Sequence, residues 1–279
     1  MKRFAVIAAL ITVVIALSVY ARSAAPTTGK AVTDPMQAHE HEHEHEHQAA
    51  FGDVRAMWQI NPEQPQAKAT TRIQFMAHGS DGEPIKQYAP LHEKLLHLIV
   101  VSKDLSYFSH IHPEYNGEGL FTVDTKFPFG GEYRLFAEYQ PEGGATVVSR
   151  QTIRLSGEKR QAPLIVDKTL TKSTGHELVT LTHGALKAGD ETMLTFRLAD
   201  AATKTPVRDL EPYLGAAGHV VIVSGDAEQY IHVHPDDANG SGPEAVFHAV
   251  FPKAGIYKVW GQFAREGRAI TVSYTLRVE

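Results

Sequence analysis

Short apolar runs alternate with polar breaks through most of this chain. Residues 96–101, 133–139, 220–223, 257–263 and 271–278 are rich in β-branched and aromatic side chains. Gly, Pro, Asp and Asn separate them at short intervals, the punctuation of strands and turns. Long stripes of period 3.6 are missing, so the pattern predicts an all-β chain. Two stretches depart from it. Residues 4–20 are apolar except for Thr12 and Ser18; Met1-Lys2-Arg3 precede them, and Ala21, Ser23, Ala24 and Ala25 follow. This is the layout of a secretory signal peptide, with cleavage after Ala21 or Ser23. The run is also only slightly short of a membrane span, so an uncleaved N-terminal anchor stays open. Either reading places the remainder outside the cytoplasm, periplasmic or secreted, with membrane contact only if residues 4–20 are retained. The second departure is residues 26–50, which lack any core pattern.

Internal self-similarity divides what remains. Residues 97–113 read HLIVVSKDLSYFSHIHP and residues 219–235 read HVVIVSGDAEQYIHVHP, identical at seven of 17 positions. The likeness continues from Phe127-Pro128 and Gly131-Glu132-Tyr133 to Phe251-Pro252 and Gly255-Ile256-Tyr257. Two copies of a unit a little over one hundred residues long are expected, at 51–157 and 163–279, with a polar seam between them. A unit of that size with about seven short strands fits an immunoglobulin-like β-sandwich. The reading is therefore two tandem sandwiches after a signal segment (1–25) and a disordered His/Glu-rich tail (26–50).

Composition changes the picture at one residue type. The chain has 16 histidines and no cysteine, which removes disulfides, thiolate metal sites and cysteine nucleophiles. The histidines are clustered. His39, His41, His43, His45 and His47 alternate with Glu40, Glu42, Glu44 and Glu46. Imidazole suits zinc, copper and nickel, so this tail reads as a weak, exchangeable trap for those ions. The bland alternative is a solvated acidic tail.

Six more histidines form two matched triplets: His97 with His110 and His112, and His219 with His232 and His234. Each has offsets of 13 and 15 and reads strand, turn, strand. Gly225-Asp226 suits a two-residue hairpin loop. That loop sets His219 opposite His232, and the same register in the first copy sets His97 opposite His110. Opposed residues share a face, and so do residues two apart. All three imidazoles of each copy then lie on one side, with Phe108 and Tyr230 as shielding neighbours. Three imidazoles with an open fourth position are a zinc geometry, and plausible for copper. A structural reading stands beside it: His97 and His219 lie in apolar strands, where hydrogen-bonded core histidines are common. His78, His92, His176, His183 and His248 have no matched partner and read as surface or turn residues.

Charge excludes one class. The net charge is −5, without a basic track, so nucleic-acid binding is not expected. Nor is an enzyme expected, because there is no nucleophile elbow, phosphate loop or H-E-x-x-H pair.

The segments 213–219, 230–235 and 251–257, with His97, His110-Ile111-His112-Pro113 and residues 127–133 as companions, resemble a group of exported bacterial proteins. These carry tandem immunoglobulin-like or cupredoxin-like domains with a G-H…Y-x-H-x-H-P motif. The resemblance covers roughly residues 70–279 and implies heavy-metal handling in the envelope, with an envelope metal transporter or another envelope protein as partner. The first copy has His92-Glu93-Lys94 where the second has a Gly-rich approach at 214–218, so its site is expected to differ in access or be lost. The primary reading is an extracytoplasmic binder of copper, zinc or nickel. The rival is a tandem interaction module whose histidines are structural.

Overall fold

A computed structural model describes residues 54–235, 237 and 240–279, with His232 and His234 described as backbone only. The segment 1–25 and the His-Glu run at 39–47 lie outside the described residues. The described residues form strands and no helix. The first repeat holds β1 (Arg55–Asn61), β2 (Thr70–His78), β3 (Tyr88–Ala89), β4 (Leu96–Ser102), β5 (Phe108–Ile111), β6 (Glu114–Tyr115), β7 (Leu120–Lys126), β8 (Gly131–Pro141) and β9 (Val147–Leu155). The second holds β10 (Thr171–Ser173), β11 (Glu177–His183), β12 (Glu191–Asp200), β13 (His219–Ser224), β14 (Tyr230–His232), β15 (His234–Pro235), β16 (Glu244–Val250), β17 (Gly255–Arg265) and β18 (Arg268–Val278).

Each repeat is a two-sheet sandwich. In the first, β1-β2-β7-β6 faces β3-β8-β4-β5, with β9 added on β8. In the second, β10-β11-β12-β16-β15 faces β14-β13-β17-β18. This is the immunoglobulin-like division of strands. Both repeats also carry the tyrosine corner of that architecture: the Tyr133 hydroxyl donates to Phe129 O at 2.8 Å and the Tyr257 hydroxyl to Lys253 O at 2.9 Å. Separate cores fill the sandwiches, around Phe75, Phe121 and Tyr139 in one and Phe196, Phe247 and Phe263 in the other. Burying each such side chain contributes ~1.5–3 kcal/mol.

A third cluster lies between the repeats. In β4, Leu98 and Val100 point into the first core, whereas Ile99 and Val101 point outward. In β13, Val220 and Ile222 point inward, whereas Val221 and Val223 point outward. The two outward rows meet, together with Phe136 of β8 and Trp260 of β17. The contact is pseudo-symmetric. Phe108 stacks on Trp260 with centroids 4.8 Å apart, and its counterpart Tyr230 stacks on Phe136 at 5.3 Å. Ion pairs close one end: Arg134 holds Glu228 at 2.5 Å and Glu132 at 2.8 Å, and Lys103 reaches Glu228 at 3.4 Å. Leu164, in the segment between β9 and β10, packs against the same cluster.

Candidate metal centre

The histidines close the other end of that contact. His97 precedes Ile99 and Val101 on the outward row of β4, and His219 precedes Val221 and Val223 on the outward row of β13. Strand alternation thus carries an apolar row into an imidazole at the rim.

The expected hairpin register is off by two residues. Ile99 pairs with His110 and Leu98 with Ile111, so His97 falls opposite His112, not His110. In the second repeat Val221 pairs with His232, the same two-residue shift, and position 234 pairs with His248 on the opposite sheet. The loops are longer than the two residues expected. Ser102 N donates to Tyr107 O at 3.2 Å and Ser224 N to Gln229 O at 3.0 Å, leaving residues 103–106 and 225–228 as the loops. An aspartate in each organises the turn. Asp104 Oδ1 accepts from Ser102 Oγ at 2.6 Å and Ser106 N at 3.1 Å; Asp226 Oδ1 accepts from Ser224 Oγ and, at 3.0 Å, from Glu228 N. Such side-chain bonds build an Asx-type turn. Because the error is even, His97, His110 and His112 keep a common face.

His97, His110 and His112 converge. His97 Nδ1 lies 2.8 Å from His110 Nε2 and 3.2 Å from His112 Nε2, and one ligand nitrogen from each ring falls within 4.8 Å of the others. With metal–nitrogen bonds of about 2.0–2.1 Å, a tetrahedral site has ligand–ligand edges of about 3.4 Å. The remaining ring nitrogens are used outward. His97 Nε2 donates to Leu91 O at 2.8 Å. His110 Nδ1 donates to Gln262 Oε1 at 2.7 Å, and the Gln262 amide nitrogen turns to the Tyr213 and Thr271 hydroxyls at 3.4 Å. Each outward bond fixes a tautomer. The inward nitrogens of His97 and His110 are then both acceptors.

Burial keeps the His110 and His112 rings neutral. It pushes the His110 pKa down to about 4, with His97 adding to the depression and Gln262 opposing it. Burial, then His110 and His97, lowers His112 to about 3. His97 is 3% exposed.

Two further histidines join. His219 stands 5.9 Å, centroid to centroid, from both His97 and His110. His92, expected to be a surface or turn residue, does lie on a turn, but its ring is 4.6 Å from His219 and 6.2 Å from His97. The turn at 91–94 matches the one at 213–216: His92 and Glu93 have φ of 44° and 66°, Leu214 and Gly215 of 54° and 73°. The missing glycine therefore does not remove the approach in the first repeat. It is this repeat whose three histidines converge. The side chains of His232 and His234, expected to form a triplet with His219, lie outside the described residues. Gln262 and Glu138 had no signal in the local pattern, because they reach the histidines as cross-strand and cross-repeat neighbours. His97 pairs with Glu138 and His219 with Gln262.

Residues 50–156 and 172–279 each match the family described as "Domain of unknown function (DUF8832)". No curated protein matches the chain. Among solved structures, FdeC, an Escherichia coli adhesin, is similar at 14% identity with a TM-score of 0.30, covering 82% of this chain and 66% of that one. The Yersinia pseudotuberculosis protein InvD is similar at 14% identity and a TM-score of 0.27, covering 80% and 57%. A pair of tandem Ig domains of titin is similar at 12% identity and a TM-score of 0.21, covering 81% and 97%. This chain thus spans less than two thirds of the two bacterial structures.

Proposed function

The chain belongs to that domain family, which it carries twice, and we propose that it is an extracytoplasmic protein that binds a divalent transition-metal ion, zinc or copper. His97 Nδ1, His110 Nε2 and His112 Nε2 are its ligands. One observation carries this reading: His97 Nδ1 and His110 Nε2, both acceptors by their outward hydrogen bonds, face each other at 2.8 Å. Two lone pairs at that distance repel unless a cation lies between them, and neutral imidazole is the form that ligates. The His-Glu run at 39–47 is the capture segment in this reading, and the buried centre the place of retention. Buffering, trafficking or resistance follows from a trap of two affinities.

A second reading keeps the tandem repeats as an interaction or structural module. What favours it is the hydrogen-bond spacing between His97 and His110, which a proton also fills if the Gln262 amide is reversed. Isothermal titration of Zn(II) and Cu(II) separates the two. The protein is the full chain with His39, His41, His43, His45 and His47 changed to Gln, compared with the same chain carrying His110→Ala and His112→Ala. Binding by the first and loss in the second supports the metal centre. No binding by the first, with a large loss of thermal stability in the second, supports the structural module.

A further inference from the structure

Three imidazoles leave the fourth position of a tetrahedral ion unassigned, and the structure offers a residue for it. In the sequence His219 belongs with His232 and His234 of its own repeat, but its ring lies beside the histidines of the other one. Its centroid is 5.9 Å from both His97 and His110. His219 Nε2 is buried and has no hydrogen-bond partner. The ring makes a hydrogen bond to the Leu214 backbone, so Nδ1 carries the proton and Nε2 a lone pair. A buried acceptor in that state calls for a water or an ion.

The spacing of the rings agrees. Around an ion with metal–nitrogen bonds of about 2.0–2.1 Å, four tetrahedral imidazoles have centroids about 5.2 Å apart. The centroids of His97, His110 and His112 stand 5.1, 4.9 and 4.8 Å from one another. His219 is about 0.7 Å too far from two of them, and its nitrogens fall outside the group of three whose ligand atoms lie within 4.8 Å of one another. A cavity of about 10 Å³ is lined by His97, His110 and His219 among others. It has room for about one water or one ion, and it leaves the His219 ring space to close the gap.

We propose that His219 Nε2 is the fourth ligand of the His97–His110–His112 centre, supplied by the second repeat to the first. The inference rests on the metal reading above and changes its chemistry. Four protein ligands close the site, so the ion is held with no open position for a substrate. The centre is then one of retention, and its ion bridges the two repeats.

The test uses Co(II), a first-row ion whose visible spectrum reports its coordination, added at one equivalent. The parent is the full chain with its five tail histidines changed to Gln. Azide is expected to leave the parent's spectrum unchanged. His219→Ala is expected to bind Co(II) at least ~10-fold more weakly, more than the loss of an outer-shell partner alone need cause. Azide should shift the spectrum of this variant, and added imidazole should restore that of the parent. Thermal melting in EDTA checks that the variant folds; His219→Gln, which fills more of the same space, replaces it if no cooperative melt is seen. A parent spectrum that responds to azide, or equal Co(II) affinity in parent and variant, overturns the cross-repeat ligand and leaves the three-histidine centre standing. A parent that binds no Co(II) overturns the metal reading itself.

Discussion

Gln262 is the side chain through which the second repeat holds His110 of the first, and replacing it isolates that contact. Gln262→Leu keeps the volume and removes both hydrogen-bonding atoms. Gln262 is 5% exposed, and its Oε1 accepts from His110 Nδ1 at 2.7 Å. In the leucine variant that buried N–H has no acceptor, at a cost of ~1–3 kcal/mol. The leucine no longer buries an amide, which offsets part of this, so the metal-free protein loses on the order of 1 kcal/mol. For a chain of this size that lowers the melting temperature by ~2–4 °C. The metal effect is larger. Losing the partner that orients an imidazole ligand weakens metal affinity ~10–100-fold, because Nε2 is no longer held toward His97 Nδ1. The assay is competition for Zn(II) against a chromophoric chelator above pH 7, on the chain with its tail histidines changed to Gln. Thermal melting in EDTA runs in parallel. Affinity is expected to fall at least tenfold while the metal-free melting temperature falls only a few degrees. Gln262→Glu keeps an acceptor and restores most of the affinity. Zinc affinity in Gln262→Leu within twofold of the parent refutes the claim that the inter-repeat contact orients this ligand.

The remaining expectations concern stability. Burial lowers His110 to about 4 and His112 to about 3, below the ordinary histidine value. The unfolded chain therefore binds more protons, and stability is full above about pH 6.5 and declines as pH falls from there toward 4. Urea melts in EDTA at pH 7.5 and 4.5 check this, and equal midpoints contradict it. Trp260→Ala removes a buried ring stacked 4.8 Å from Phe108 and is expected to cost ~3–5 kcal/mol in denaturant melts. A loss below ~1 kcal/mol would show that the repeats do not depend on their shared cluster. Glu228→Ala breaks the pair with Arg134 at 2.5 Å. Because the glutamate is about half exposed and Glu132 still partners Arg134, the same melts should register no more than ~1 kcal/mol. Tyr133→Phe and Tyr257→Phe each delete one corner hydrogen bond, worth ~1 kcal/mol apiece. Lying in separate repeats, their effects should add, and a double variant deviating by more than ~0.5 kcal/mol would refute that independence.

The strand runs expected from apolar patterning lie within observed strands: 96–101 in β4, 133–139 in β8, 220–223 in β13, 257–263 in β17 and 271–278 in β18. The common face of His97, His110 and His112 was legible for a more particular reason. Strand alternation has period two, so an even slip of register changes which residue faces which and leaves the faces intact. The turn was misjudged because Gly225 draws attention to itself. The turn's organiser is the Ser-x-Asp pair at 102 and 104, repeated at 224 and 226. His92 was passed over because it has no counterpart in the second repeat, where Leu214 takes the same backbone conformation.

What local reading did not supply is the surface on which the repeats meet, although one signal for it was present. A strand with one face to the core and one to water alternates apolar with polar residues, whereas a strand covered on both faces is apolar throughout. Leu98-Ile99-Val100-Val101 and Val220-Val221-Ile222-Val223 are unbroken, and all eight are buried. In an isolated sandwich Ile99, Val101, Val221 and Val223 would face water. Their covering is the other repeat, and the pseudo-symmetry follows because each repeat presents the same row. That symmetry brings the histidine ends of the two rows to one rim. It also brings Glu138 and Gln262, equivalent positions with different chemistry, beside them. The neutral amide holds His110 through a hydrogen bond, and the carboxylate accepts the Tyr230 hydroxyl. The proposed metal centre at this rim would therefore be a property of the pair of repeats, and substitutions on either side of the contact should register in the affinity of one site.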